Sequence, residues 1–210
     1  MTTQDTALEG DESVRSRLLD AASRHFAQKG YAATTVREIV EAAGVTKPVL
    51  YYYFGNKEGI YLQIMEKALG TVHDLIAETM RSAGSARERI ELLLDRTFTV
   101  MLEHLDVVRV MDSIYYGPPQ GAPFFDFEIF HQEFEGALQT LVERGIALGE
   151  LRPADPEVVT LAILGALDVA KGIHLCHPER SRGRQGLHEL LDVVFHGVLN
   201  PAHCAKETTS

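Results

Sequence analysis

Lys47, Val49 and the run Tyr51-Tyr52-Tyr53 lie within eight residues, 46–53, and their types suit the reading of a nucleic-acid duplex. A lysine near a helix start reaches guanine acceptors or a phosphate, and a valine offers apolar contact such as that with a thymine methyl. Tyrosines supply flat faces and hydroxyls for sugar, methyl or phosphate contact. If Leu50 and Phe54 turn inward at i and i+4, helical periodicity puts Pro48 and Tyr52 on the opposite side. Lys47 and Tyr51 then line one flank and Val49 the other. Periodicity alone leaves a second reading open, in which three tyrosines on an amphipathic helix are core and rim.

Other chemistry-bearing groups are incomplete. Glu128 and His131 make a Glu-x-x-His pair on one helix face, but a di-iron bundle needs two copies and further carboxylates. No other histidine has a glutamate three residues before it. His174, Cys176 and His177 have types that hold soft metals. They sit where a helix end meets a polar loop, so they read as solvated or packed side chains. No phosphate-cradling glycine loop, nucleophile elbow or cysteine with an orienting partner is present. The sequence thus predicts no enzyme, no cofactor and no metal.

The elements that would position the basic stretch are helices. Residues 13–29 repeat Val14, Leu18, Ala22 and Phe26 at four-residue steps, with Gly30 as a stop. Thr35 to Glu38 is a capping box opening a short helix, with Val36, Ile39, Val40 and Ala43 on one face and Gly44 as its end. Thr46 is placed to cap a third helix that has Pro48 in its first turn. Asn56 opens a long helix to about Arg81, Ser85 to Glu88 forms a second capping box, and a shorter segment runs from Val107 to Tyr116. After Gly117-Pro118-Pro119, a helix with Phe127, Phe130, Phe134, Leu138 and Leu141 runs to about Leu148. Asp155-Pro156-Glu157 starts another to about Leu175, and a polar loop leads to a last helix with Leu187, Leu191, Val194 and Val198. The expectation is an all-α chain of about nine helices: a three-helix helix-turn-helix head followed by a larger helical body.

Composition bounds the class. The 210 residues are 45% hydrophobic and 24% charged, a globular mix with net charge −10. Residues 1–12 carry −4, residues 13–60 carry +3 and residues 61–210 carry −9. One basic segment inside an acidic chain fits a small nucleic-acid module attached to something else. No apolar run is expected to approach the ~18 residues of a bilayer span, and the acidic N-terminus is unlike a secretory leader. Two cysteines make no disulfide framework, and a cytoplasmic location follows as the expectation. The anticipated division is an acidic flexible tail (1–12), a helix-turn-helix DNA-binding domain (13–60), a larger helical body (61–200), to which the resemblance described next assigns effector binding and dimerisation, and a tail (201–210).

The stretch TTVREIVEAAGVTKPVLYYYFGNKEGIY, residues 34–61, resembles the TetR (tetracycline-repressor-like) family of bacterial transcriptional regulators. Its T-V-R-x-I, A-G-V, L-Y-Y-x-F and N-K-E elements stand in register, and the likeness covers residues 14–62. The resemblance implies a homodimer whose third helices enter the major groove of an inverted-repeat operator, with an effector pocket controlling release. By position, Thr35 and Arg37 fall where the family approaches DNA from its second helix. Thr46, Lys47, Pro48, Val49 and Tyr51 fall on its base-reading surface. Tyr53 and Lys57 fall at phosphate contacts, the former often histidine. Thr35 reads equally as a helix cap alone.

In the body, large adaptable side chains gather, with polar groups among them. Met101, Tyr115, Phe130, His131 and Asp168 are the candidate contacts for a small apolar or aromatic effector. The close-packing Ala162, Gly165 and Ala166 and the leucine-valine stripe of the last helix correspond to the family's dimer interface. The reading is a ligand-responsive DNA-binding regulator, a repressor. The competing reading, a helical enzyme or small-molecule carrier with a non-regulatory head, lacks a catalytic set.

Overall fold

The computed structural model describes residues 3–117 and 121–197. Among them are nine α-helices, one short 3-10 turn and no strand. Pro118, Pro119, Val198 and the expected 201–210 tail lie outside the described residues.

Helix α1, Thr3–Ala33, runs through most of the stretch expected as a tail and starts ten residues before the expected boundary. Its apolar stripe is as the spacing predicts, with Leu18, Ala22 and Phe26 buried and Val14 packed against them. Gly30 interrupts the helix at φ 82°, ψ 165°. A side chain is strained at that φ, so glycine is the residue that lets the chain turn there. Helix α2, Val36–Ala43, carries the predicted capping box, and Gly44 closes it in the left-handed region at φ 66°. Helix α3, Lys47–Phe54, begins after Thr46 as expected, but the Thr46 side chain makes no capping hydrogen bond. Helix α4, Lys57–Arg81, is capped by Asn56, whose Oδ1 accepts the Gly59 N–H at 2.7 Å.

The remaining α-helices are α5 (Ala86–Glu103), α6 (Leu105–Tyr115), α7 (Phe127–Ala147), α8 (Pro156–Cys176) and α9 (Gly183–His196). The short turn Pro178–Arg180 lies in the loop before α9. Both remaining N-caps read from the sequence are present: Ser85 and Glu88 bond reciprocally, and Asp155 accepts the Glu157 N–H at 3.0 Å.

The chain divides into two compact units. The first holds residues 1–74 and 103–131, the second 75–102 and 132–210, and α4, α5 and α7 each run from one into the other. In the first unit, α1 packs on α2 and α6, and α2 on α3. Its core joins Leu18 and Phe26 with Ile39, Val40, Leu50, Phe54, Ile60, Tyr61, Met65, Val110 and Phe127. Burying each large apolar side chain contributes about 1.5–3 kcal/mol, which is what fixes α3 on α2. The helix-turn-helix head therefore shares a core with α6 and the start of α7, beyond the expected boundary at residue 60.

The second unit has its own core of Ile90, Leu93, Leu94, Phe98, Leu138, Leu141, Ile163, Leu167, Leu187 and Leu191. Charged contacts tie α9 to α5: Arg87 to Asp192 at 2.8 Å, and Asp95 to both Arg184 and His188. Arg89 is buried, and its guanidinium donates to the carbonyls of Thr79 and Met80, satisfying the C-terminal end of α4.

Helix α8 corrects the composition argument. Its 21 residues are long and apolar enough, by length and composition, to cross a membrane. Only part of that apolar surface meets the unit's own core, as Ile163, Ala166, Leu167 and Ala170 do. Val158, Leu161, Ala162, Gly165, Asp168 and Val169 follow one another at helical spacing on a face that this chain leaves exposed.

Candidate nucleic-acid interface

Helix α3 presents its polar and aromatic groups because Leu50 and Phe54 anchor the opposite face. Thr46, Lys47, Pro48 and Tyr51 are exposed, and Val49 is half-buried against the core. Tyr52 is 80% exposed and Tyr51 48%. Tyr52, placed opposite Leu50 by the sequence spacing but not among the expected contacts, is thus the most open aromatic side chain of the head. Tyr53 is half-buried, its ring edge-on to Tyr52 at 5.1 Å and tilted against Phe54 at 6.1 Å. That packing fixes the Tyr52–Tyr53 pair as a unit, so the three tyrosines are neither all core nor all free surface. Lys47 enters no ion pair among the described residues.

Thr35 caps and is exposed at once. Its hydroxyl accepts the Glu38 N–H at 3.3 Å and donates to Glu38 Oε2 at 2.8 Å, while its own N–H donates to the same oxygen at 2.9 Å. Lys29 closes on Glu38 from α1. The Lys29 ammonium, then the Thr35 backbone N–H and hydroxyl, hold the Glu38 carboxyl down at about 2. Arg37, one residue into α2, is 75% exposed at its side chain and donates through Nε to Glu41 Oε1 at 2.6 Å.

Lys57 also has partners within the chain. Its Nζ donates to the carbonyls of Tyr31 and Thr34, both at 2.9 Å, and lies 4.2 Å from the Tyr31 ring centroid. Two of its three protons satisfy the chain end beyond Gly30. Burial holds its pKa below the usual lysine value. Tyr31 in turn packs on Tyr61 at 5.3 Å and Phe26 at 5.4 Å, and burial pushes the Tyr61 phenol up to about 12. Lys57 therefore staples α4 to the α1–α2 joint.

The candidate effector residues fall in both units. Tyr115, Phe130 and His131 come together in the first, with Tyr115 and His131 rings 4.5 Å apart and Phe130 and His131 rings 5.6 Å apart. His131 Nδ1 is buried without a hydrogen-bond partner. Met101 lies on α5 in the second unit. Asp168, also in the second unit, is 63% exposed at its side chain and pairs with Lys171 at 3.2 Å along α8. It sits in the outward apolar stripe of that helix, not in an enclosed wall. Tyr116 and Phe124 are exposed. His174 Nδ1 is 2.8 Å from Ser181 Oγ, and no cluster of three metal-type ligands occurs among the described residues.

Two family models match the chain: the tetR family of bacterial regulatory proteins over residues 18–64, and the tetracyclin repressor-like C-terminal domain over residues 83–171. The transcriptional activator FasR of Mycolicibacterium smegmatis is 33% identical over 90 residues, 43% of this chain and 41% of its own length. The chain thus spans about two fifths of that relative. The repressor KstR2 of Rhodococcus jostii is 29% identical over 147 residues, 68% of this chain and 70% of its own. Among solved structures, the regulator FadR of Bacillus subtilis in complex with stearoyl-CoA has the same fold. It superposes with a TM-score of 0.65 at 19% identity over 88% of this chain and 99% of that one. With both halves matched and the helix-turn-helix geometry in place, the chain belongs to the TetR family of transcriptional regulators, a family of DNA-binding proteins and not of enzymes.

Proposed function

We propose that the protein is a homodimeric, cytoplasmic repressor that binds an inverted-repeat operator and is released by a small apolar effector. The observation that carries the DNA reading is α3 itself: Lys47, Pro48, Tyr51 and Tyr52 exposed together on a helix whose other face is locked by Leu50 and Phe54. Exposed Thr35 and Arg37 extend that surface onto α2. Thr46, Val49 and Tyr53 complete it, and Lys57 keeps one proton for a phosphate. Repression is favoured by KstR2, matched over a longer share of this chain than the activator FasR. The stearoyl-CoA complex of FadR and the ring cluster of Tyr115, Phe130 and His131 support an apolar ligand.

The test of DNA reading is selection of a duplex from a randomised pool, followed by affinity for that duplex and for a scrambled one. Lys47→Ala and Arg37→Ala should each cost ~1–3 kcal/mol of discrimination. Equal affinity of the wild-type chain for both duplexes refutes the proposal.

Dimerisation through α8 and α9 is supported by the exposed stripe from Val158 to Val169, together with Val193 on α9. A stripe of that kind exposed on a lone chain marks an association surface. A Cβ added at Gly165 meets nothing within 4 Å, so Gly165→Arg has room in the single chain. It should leave the helical fold intact and yield monomers in light scattering at micromolar concentration, with operator binding lost. A Gly165→Arg dimer that still binds the operator would place the interface elsewhere.

A further inference from the structure

Glu41 is a negative charge on the helix whose arginine is proposed to read DNA, and nothing in local helix energetics accounts for it. Helix α2 is eight residues long, Val36–Ala43. Arg37 lies in its first turn, where the helix dipole disfavours a cation, and Glu41 in its last turn, where the dipole disfavours an anion. The order, arginine first and glutamate four residues on, is also the less favourable one for such a pair. Both side chains are largely exposed, 75% and 59%, where an ion pair adds little to stability. A pair that runs against each local rule points to a role outside folding.

The geometry of the contact indicates the role. Arg37 donates to Glu41 through Nε, at 2.6 Å, and not through its terminal amino groups. The guanidinium is a rigid planar fork, so a hydrogen bond at Nε restrains the plane as a whole. Among the described residues, the Nη1 and Nη2 edge is left as the free pair of donors. Two parallel N–H donors on one edge are what bidentate capture of guanine O6 and N7 requires. The Glu41 hydrogen bond also removes rotamer freedom from Arg37 before DNA arrives, a cost otherwise met on binding. The other cations around the α1–α2 joint have different engagements: Lys29 with Glu38, Lys57 with two carbonyls.

We infer that Glu41 is a positioning residue for sequence readout: it holds the Arg37 fork in a fixed plane with its terminal amino edge free for a guanine. The inference rests on the DNA-reading proposal above. It runs against the simple electrostatic expectation, in which a carboxylate beside the duplex only repels phosphates.

Two substitutions that remove the same charge separate the possibilities. Glu41→Gln keeps an oxygen that can accept the Nε–H, whereas Glu41→Ala does not. The probes are the duplex that the full-length wild-type chain enriches from a randomised pool, single-base-pair variants of it, and a scrambled duplex of equal composition. Both variants should bind the scrambled duplex more tightly, by the same factor, because each loses one negative charge. Glu41→Ala should lose about 5- to 20-fold in preference for the selected duplex, concentrated at one base pair per half-site. Glu41→Gln should retain that preference. In an Arg37→Ala background, Glu41→Ala should cause no further loss. Alanine and glutamine variants that discriminate alike, or a further loss without Arg37, would overturn the inference while leaving the DNA-reading proposal standing. A wild-type chain that enriches no sequence would overturn both. Folding does not confound the comparison, since both substitutions fall on an exposed position and remove an anion from a helix end that disfavours it; circular dichroism melts check this.

Discussion

Replacing Lys57 with methionine keeps an unbranched apolar stem as far as Cε and deletes the ammonium, so it isolates the staple between α4 and the α1–α2 joint. Two charged-donor hydrogen bonds at 2.9 Å would contribute ~1.5–3 kcal/mol each at full value. The side chain is half-buried, so water replaces part of that when the ammonium is gone, and the lysine's own desolvation offsets more. The contact with the Tyr31 ring adds ~0.5–1 kcal/mol. Relief of a cation at a helix N-terminus returns ~0.3–1 kcal/mol. The net expectation is a loss of about 2 kcal/mol. With a denaturant slope of ~2 kcal/mol per molar, the urea midpoint should fall by about 1 M. All seven tyrosines lie in the first unit and the chain has no tryptophan, so tyrosine emission follows that unit alone. Because the third Lys57 proton is proposed to meet a phosphate, the salt slope of scrambled-duplex binding, measured without denaturant, should also fall by about one phosphate contact. An unchanged urea midpoint would refute the staple.

Two further outcomes follow from the same coordinates. The Glu38 carboxyl is lowered from 4.5 to about 2, so its contribution to stability is complete above the unfolded value and is lost as pH falls through the folded one; Glu38→Gln should flatten the fall of the urea midpoint across that window, and an unchanged slope would show that the Lys29–Thr35 cradle is not what titrates. In the second unit, a Cβ at Gly145 would lie 2.7 Å from Ala86 Cβ and 2.9 Å from the Leu151 side chain, so Gly145→Ala should cost ~1 kcal/mol, an overpacking cost of ~1–3 reduced by alanine's better helix propensity, read from circular dichroism melts of the full chain.

What the sequence made legible was local. Thr35 with Glu38, Ser85 with Glu88 and Asp155 before Pro156 are caps whose partners lie within three residues, and each forms as read. The same locality explains Leu50 and Phe54, whose spacing alone decides which face of α3 is left exposed. Thr46 shows the limit even there: its backbone takes the N-cap conformation, but its hydroxyl stays out of the cap. The Lys57 staple is not legible in the sequence because its partners, the carbonyls of Tyr31 and Thr34, are more than twenty residues away and are backbone atoms, which leave no mark in side-chain spacing. The sharing of the head's core with Val110 and Phe127 is hidden for a related reason, since they join it only through the tertiary fold.

Helix α8 carries the most consequential case. Read for core positions, its sequence is apolar on nearly every side, and no period distinguishes the face that meets Leu187 and Leu191 from the one that does not. A helix apolar all round must be buried all round, in a membrane or in protein. Asp168 and Lys171 pair along the helix, and a cap at Asp155 with a polar loop beyond His177 bounds it, features of a helix in a protein assembly more than of one in lipid. The chain's own core accounts for one face, through Ile163 and Leu167. The other, from Val158 through Gly165 to Val169, is the face that the proposed dimer would cover, since an identical chain presents the matching stripe without any further component. On that proposal, two heads per assembly follow from the burial of α8, independently of anything the heads themselves display.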